Sequence, residues 1–308
     1  MQLLSFILSL VFYIFATISA GATFDATNPA ATGYVPTFDD EFNSLSTIDI
    51  NNTKVPGFKW YVQYPFGSAH ALAGDFSVTS GVLTITPTTA NMGITTVVKD
   101  GAGGVRGQVF GQGYYAEARI AFDNTQVITA NGWPAFWGES VHHILTLDRW
   151  PGQPTGYAHF IEDDFFEYDT AAGSGANSYG GAWHDWYGIY NVTCSLFCNV
   201  TNNGVISLGS TTWTSFHTVG RLYIPGTPAN GMQGSSTSYF DGVAVGTPLT
   251  WTGVRPGTAP PSGTFEFSVI DNDQMTIVVG SGAGLPLQVD YVRVWQIATP
   301  RAPINWLQ

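Results

Sequence analysis

Short runs of strand-forming residues recur roughly every 8–15 residues along this chain, punctuated by Gly, Pro, Asn and Ser. Examples are FSVTSGVLTITPTT, GYYAEARIAF, FHTVGRLYI, STSYFDGVAVG, GTFEFSVI, MTIVVG and LQVDYVRVWQI. Short apolar or alternating runs bounded by turn residues read as β-strands. After the N-terminal segment no amphipathic helical period persists over 12 residues, and 36 Gly and 17 Pro make a helical bundle a poor solution. In YFDGVAVG, Asp241-Gly242 between two strand-like runs signals a hairpin. In LQVDYVRVWQI both alternating sets carry apolar residues, which predicts a strand buried on both faces. With no internal repeat, linker or shift in composition, the expectation is one all-β domain over residues 24–300, followed by a short tail, 301–308. At this length a two-sheet sandwich is favoured.

Charge narrows the partners. Only 10% of residues are charged, and 22 acids against 10 Lys plus Arg give a net charge of -12. Lys54, Lys59 and Lys99 are the only lysines, so the basic face that nucleic acid or an anionic lipid surface demands is missing. The aromatic fraction of 14% supplies a core and argues against disorder. Residues 1–20, MQLLSFILSLVFYIFATISA, are apolar and lead into Ala20-Gly21-Ala22, which reads as a signal peptide cut at about Ala20 to Ala22; a membrane anchor is the alternative. The expectation is therefore a secreted protein, extracellular or in a cell wall, with no membrane contact once the signal is removed. An oxidising compartment would close Cys194 and Cys198, which have three residues between them, into a small-loop disulfide; a shared metal is the lesser reading. Sequons at Asn51, Asn191 and Asn199 predict glycosylated, solvent-facing loops. On that view the cysteine loop is exposed decoration.

The densest acid cluster lies inside an aromatic strand, HFIEDDFFEYDT at 159–170. Carboxylates there are costly unless paired or used. A strand has period two, so Glu162 and Asp164 share a face. Glu167 falls on the other face unless one extra residue, a β-bulge at Phe165-Phe166, restores it. Three carboxylates would then line one surface. A retaining glycosidase needs such a set, with a nucleophile and an acid/base about 5–5.5 Å apart. Crowding raises one pKa and keeps one acid protonated. The plainer readings are an exposed acidic patch or a calcium loop. GWPAFWG puts Trp133, Ala135 and Trp137 on one strand face, and GGAWHDWYG adds Trp183, His184, Trp186 and Tyr187. Each could be core; together around an acidic strand they fit a cleft whose rings stack on sugars.

Glu162-x-Asp164-x-x-Glu167 resembles the signature of glycoside hydrolase family 16, in the bulged form typical of laminarinase-type enzymes. FDDEFN (38–43), GVLTI (81–85), GYYAEARI (113–120), GWPAFW (132–137), FHTVGRLYI (216–224), SYFDGV (238–243) and DYVRVWQ (290–296) resemble the family's other strands in order, over about residues 34–297.

The resemblance implies a concanavalin A-like β-jelly-roll sandwich with an open concave cleft. It implies Glu162 as nucleophile, Asp164 as its helper and Glu167 as acid/base. Trp133, Trp137, His184 and Trp186 would line the cleft, and Glu117 and Arg119 would frame the same surface or pair with each other. It also implies a possible structural calcium held by Glu41, the Gly81 carbonyl and Asp290, with no cofactor for catalysis. Two departures stand out. Asp163 replaces the usual apolar residue and points between the sheets, and a long segment, 139–160, precedes the acidic strand. His142 and His143 in it read as surface residues. The expected function is a monomeric, secreted endo-glycosidase with a polysaccharide partner, most plausibly a β-1,3 or mixed β-1,3/1,4 glucan. A cell-wall transglycosylase and a non-catalytic β-glucan-binding protein on the same fold are the alternatives.

Overall fold

The computed structural model describes residues 23–297, apart from 68, 112, 128–131, 142–143, 145–152, 203, 228–229 and 253–272. The expected signal segment, the tail, GTFEFSVI (263–270), His142, His143 and much of the 139–160 segment lie outside the described residues. Among the described residues no helix is long and apolar enough to cross a membrane.

Two sheets, antiparallel except where Ile48–Asp49 runs parallel to Trp60–Tyr61, stack face to face. The outer sheet runs Val243–Thr252, Gln233–Phe240, His217–Ile224, Tyr114–Phe122, Leu287–Ile297, Val82–Ile85 and Phe76–Thr79, with Tyr34–Asp40 also on Leu287–Ile297. The cleft sheet runs Cys198–Asn202, Trp183–Ile189, Tyr157–Glu167, Ala135–Ser140, Gln274–Ser281, Met92–Thr95, Trp60–Tyr61 and Ile48–Asp49. Asp241 and Gly242 join two outer strands with φ of 48° and 78°, the left-handed pair that a tight hairpin requires. The all-β sandwich is the architecture expected from the punctuated strands.

Alternation sorts side chains between the layers. Tyr114, Ala116, Ala118 and Ile120 of the outer sheet meet Phe136, Ile161, Phe165 and Val279 of the cleft sheet in one core. Phe165 lies 4.9 Å from Phe136 in its own sheet and 6.0 Å from Tyr114 across the gap. Gly138 makes room for it, since a Cβ there would come within 3.2 Å of the Phe165 ring. Leu287–Ile297 departs from expectation. It is not buried on both faces. Arg119 pairs with Tyr291 and Ile120 with Val289, so Asp290 is bulged out of register. The bulge switches the phase, and Leu287, Val289, Val292 and Val294 all reach the same core.

Asp163 does point between the sheets, as alternation requires, and it is fully buried. Its partner is Arg221 of His217–Ile224, 3.0 Å away across the sandwich. The contact is mainly coulombic, because the Asp163 oxygens take no well-aligned hydrogen bond. Arg221 also donates to the Asp164 carbonyl and, at 2.6 Å, to the Ser238 hydroxyl, and it lies over the Trp183 ring. Burial pushes the Asp163 carboxyl well up, and the Arg221 charge pulls it back. Removing one partner of a buried pair strands the other charge, at a cost of about 3–5 kcal/mol, whereas an apolar pair of similar volume is often neutral. Arg221→Leu should therefore lose stability on that scale in denaturant titrations. The double variant Asp163→Leu/Arg221→Leu should lie closer to wild type than the single one does.

Candidate active site

The acidic strand pairs with Ala135–Ser140 so that Glu162 faces Glu139, Asp164 faces Trp137 and Glu167 faces Ala135. Phe166 faces Phe136, and Phe165 has no opposite number. The bulge expected at Phe165-Phe166 is present, and both rings enter the core while Glu167 returns to the side of Glu162 and Asp164. The three carboxyls line a depression of about 160 Å³ together with Trp133, Trp137, Tyr64 and Asn91.

Each acid has a fixed partner. The Trp186 indole N–H donates to Glu162 Oε2 at 2.7 Å, and the Trp133 indole N–H donates to Glu167 Oε1 at 2.7 Å. Asp164 sits between them, 3.1 Å from His184 Nε2. The Asn199 amide donates to His184 Nδ1 at 3.2 Å, and the Thr201 hydroxyl lies 2.8 Å from the same nitrogen. Burial pushes all three acids up, Glu162 to about 8 and Asp164 and Glu167 to about 7. Asp164 adds to the rise at both glutamates, Trp186 and His184 pull Glu162 back, and Trp133 and His184 pull Glu167 back.

Rings flank the acids on both sides. Tyr64, Phe66 and Trp137 form one cluster, with centroids 5.4–6.1 Å apart. His184 and Trp186 form the other, near-parallel at 5.8 Å. Trp183, in contrast, is a core residue. Glu139 is a fourth buried carboxyl on the cleft side, opposite Glu162. Burial first, then the Glu162 charge, push it well up. Alternation from Trp137 in GWPAFWGES carries that placement, although the three-acid motif draws the eye first. Tyr64 and Phe66 come from a loop without motif or period to announce them.

Other expected site residues lie elsewhere. Glu117 and Arg119 belong to the outer sheet, and because Ala116 and Ala118 take the core, they face away from the cleft sheet. They do not pair with each other: Glu117 accepts from the Tyr115 hydroxyl at 2.9 Å, and Arg119 pairs with Asp290. The proposed calcium set does not assemble either. Both Glu41 oxygens accept from Arg293, at 2.7 and 2.9 Å, and Asp290 is neutralised by Arg119. A calcium site needs oxygen ligands free to converge on the ion. Among the described residues no group of three or more His, Cys, Asp or Glu side chains could hold a metal ion. Glu41, Gly81 and Asp290 therefore do not fit the ion.

Cys194 and Cys198 are disulfide-bonded. Asn51 and Asn191 are exposed outside the strands, but Asn199 lies in Cys198–Asn202 opposite Trp186, on the cleft side. The cysteine loop is exposed, as expected, and the edge strand that follows it brings Asn199 to His184.

No protein-family profile and no curated protein sequence matches the chain. Among solved structures, it is similar to the endo-1,3-β-glucanase from Streptomyces sioyaensis, at 19% identity, covering 86% of this chain and 96% of that one with a TM-score of 0.53. A weaker likeness, at 16% identity and a TM-score of 0.43 over 86% of this chain and 92% of the other, is to SCLam, a non-specific endo-β-1,3(4)-glucanase of family GH16. The first comparison shows a shared jelly-roll fold; the second is too distant to add to it.

The raised acids make a stability prediction. A carboxyl whose folded pKa exceeds its free value binds its proton more tightly when folded, so its favourable contribution is complete at low pH. It is lost as pH rises from the ordinary value of 4.5 to about 8 at Glu162. Glu162→Gln removes that loss. Its melting temperature should exceed wild type at pH 8 by roughly a few degrees, at about 2–4 °C per kcal/mol for a chain of this size. The gap should close near pH 4. A variant no more stable than wild type at pH 8 would contradict the burial argument.

Proposed function

We propose that this chain is a retaining endo-glycosidase of glycoside hydrolase family 16 that hydrolyses β-glucan with β-1,3 or mixed β-1,3/1,4 linkages. The observation that carries the reading is the set of three carboxyls on one strand face, each outer one held by a tryptophan N–H inside a ring-lined depression. The fold shared with an endo-1,3-β-glucanase supports it. Secretion is part of the proposal, supported by the apolar first 20 residues, the disulfide and the three sequons.

The chemistry needs one ionised and one protonated acid. Glu162, as carboxylate, attacks the anomeric carbon, while Glu167 gives its proton to the glycosidic oxygen, which departs as a hydroxyl on the leaving fragment. Water then opens the Glu162 ester as Glu167 takes back a proton, and the β-configuration is retained. Asp164, between the two, raises the pKa of both glutamates and so favours Glu167 keeping the proton that it gives up. The Trp186 and Trp133 indoles fix the two carboxyls against rotation, so positioning precedes substrate.

Glu162→Gln and Glu167→Gln should each lower the release of reducing ends from laminarin by at least about a hundredfold, within the usual range for acid–base and nucleophile removal. The first product seen by proton NMR should be the β-anomer. Wild-type rates should fall as pH rises past about 7, where Glu167 loses the proton that it donates. Unchanged activity in Glu162→Gln defeats the assignment. Chain-length redistribution without net hydrolysis would make the protein a transglycosylase, and glucan binding without turnover would make it a binding protein.

A further inference from the structure

We propose that the disulfide-closed loop 190–198 builds an outer sugar-binding subsite, which extends the cleft along a β-glucan chain beyond the acids. This rests on the glycosidase reading above and adds the part of the substrate that the loop would hold.

The argument starts from an unbroken row of rings. Trp186, which holds Glu162, stacks near-parallel to Phe160 at 6.3 Å and an interplanar angle of 16°. The two are directly opposite on neighbouring strands. Phe160 meets Phe197 edge-on at 5.3 Å, and Phe197 meets Tyr190 at 5.2 Å. The row therefore leads from the candidate nucleophile to the loop, and at its end Tyr190 is 53% exposed. Leu196 and Val192, in the same loop, are 54% and 74% exposed.

Three features hold the loop in that place. The Cys194–Cys198 disulfide ties its middle to the first residue of the edge strand. The Asn191 N–H donates to the Leu196 carbonyl, and the Asn191 side chain accepts from the Leu196 N–H at 2.9 Å. Gly188, with φ of +108°, lets Thr193 fold back onto the strand, where a Cβ would meet it at 2.9 Å. A loop so braced presents its rings without a large ordering cost on binding.

The chemistry of the surface selects a neutral sugar. Residues 188–200 contain no Lys, Arg, Asp or Glu. Ser195 supplies a hydroxyl group, and Tyr190 and Phe197 supply flat apolar faces. A pyranose has the matching pair, a C–H face and a rim of hydroxyls. An anionic polymer or an acidic membrane would find no cation here.

The test compares Tyr190→Ala, Tyr190→Trp and wild type on laminarin, laminarihexaose and laminaritriose, with Glu162→Gln run alongside. Tyr190 is more than half exposed, so truncation opens no core; melting curves check this. For Tyr190→Ala, kcat/KM on laminarin relative to laminaritriose should fall about 3–10-fold, the scale of one ring contact, through KM with kcat within twofold. Tyr190→Trp should restore the ratio. In the Glu162→Gln background, laminarin affinity measured by calorimetry should fall by the same factor when Tyr190 becomes Ala. Equal effects on the polymer and the trimer, or no effect, overturn the subsite while leaving the glycosidase reading intact. Full activity in Glu162→Gln overturns that reading instead.

Discussion

Arg221 is the group on which the geometry of this molecule turns. It is buried, crosses from the outer sheet to the cleft sheet, and touches the acidic strand twice, at the Asp163 carboxyl and the Asp164 carbonyl. An apolar core sets how far apart two sheets lie but leaves them free to slide by small amounts, because dispersion contacts are non-directional. A charge contact and a backbone hydrogen bond at adjacent residues remove that freedom for one strand. The strand so pinned is the one carrying Glu162, Asp164 and Glu167. The cation also offsets part of the cost of burying so many carboxyls in one segment, since it draws down both Asp163 and Asp164.

Above that anchor the acids are positioned from the side. Indole N–H groups from two different strands or loops take one glutamate each, and His184 takes the aspartate between them. His184 is in turn held by Thr201 and Asn199 of the edge strand. The chain of contacts thus spans four neighbouring pieces of backbone, from the Trp133 loop to the edge of the sheet. The same crowding that raises the acids' pKa values makes the folded state less favourable as pH rises. The site therefore holds its raised acids at some expense to the fold, a common compromise at functional centres.

What the sequence discloses follows from what is local. The three acids and the bulge between them are legible because strand period two allows only one way to bring Glu167 back beside Glu162. The hairpin at Asp241-Gly242 is legible for a similar reason. The second bulge, at Asp290, has no acid motif to demand it, and both alternating sets of LQVDYVRVWQI look apolar, so the strand reads as doubly buried. Glu117 and Arg119 carry the right alternation, but no local signal says which sheet their strand joins. Glu41 and Asp290 look like ion ligands until Arg293 and Arg119, distant in the chain, are brought against them. Arg221 itself sits 58 residues after Asp163 and announces nothing by spacing.

The bulge at Phe165 separates two properties that a regular strand would bind together. Deleting that one residue would leave Glu162, Asp164 and Glu167 in plain alternation, still on one face. What would be lost is a ring wedged between Phe136 and Tyr114, and with it much of the filling beneath the site. The extra residue therefore alters the floor without reassigning any acid. Its removal would trade core volume and the backbone span from Asp164 to Glu167 while the order of the three carboxyls along the strand stayed the same.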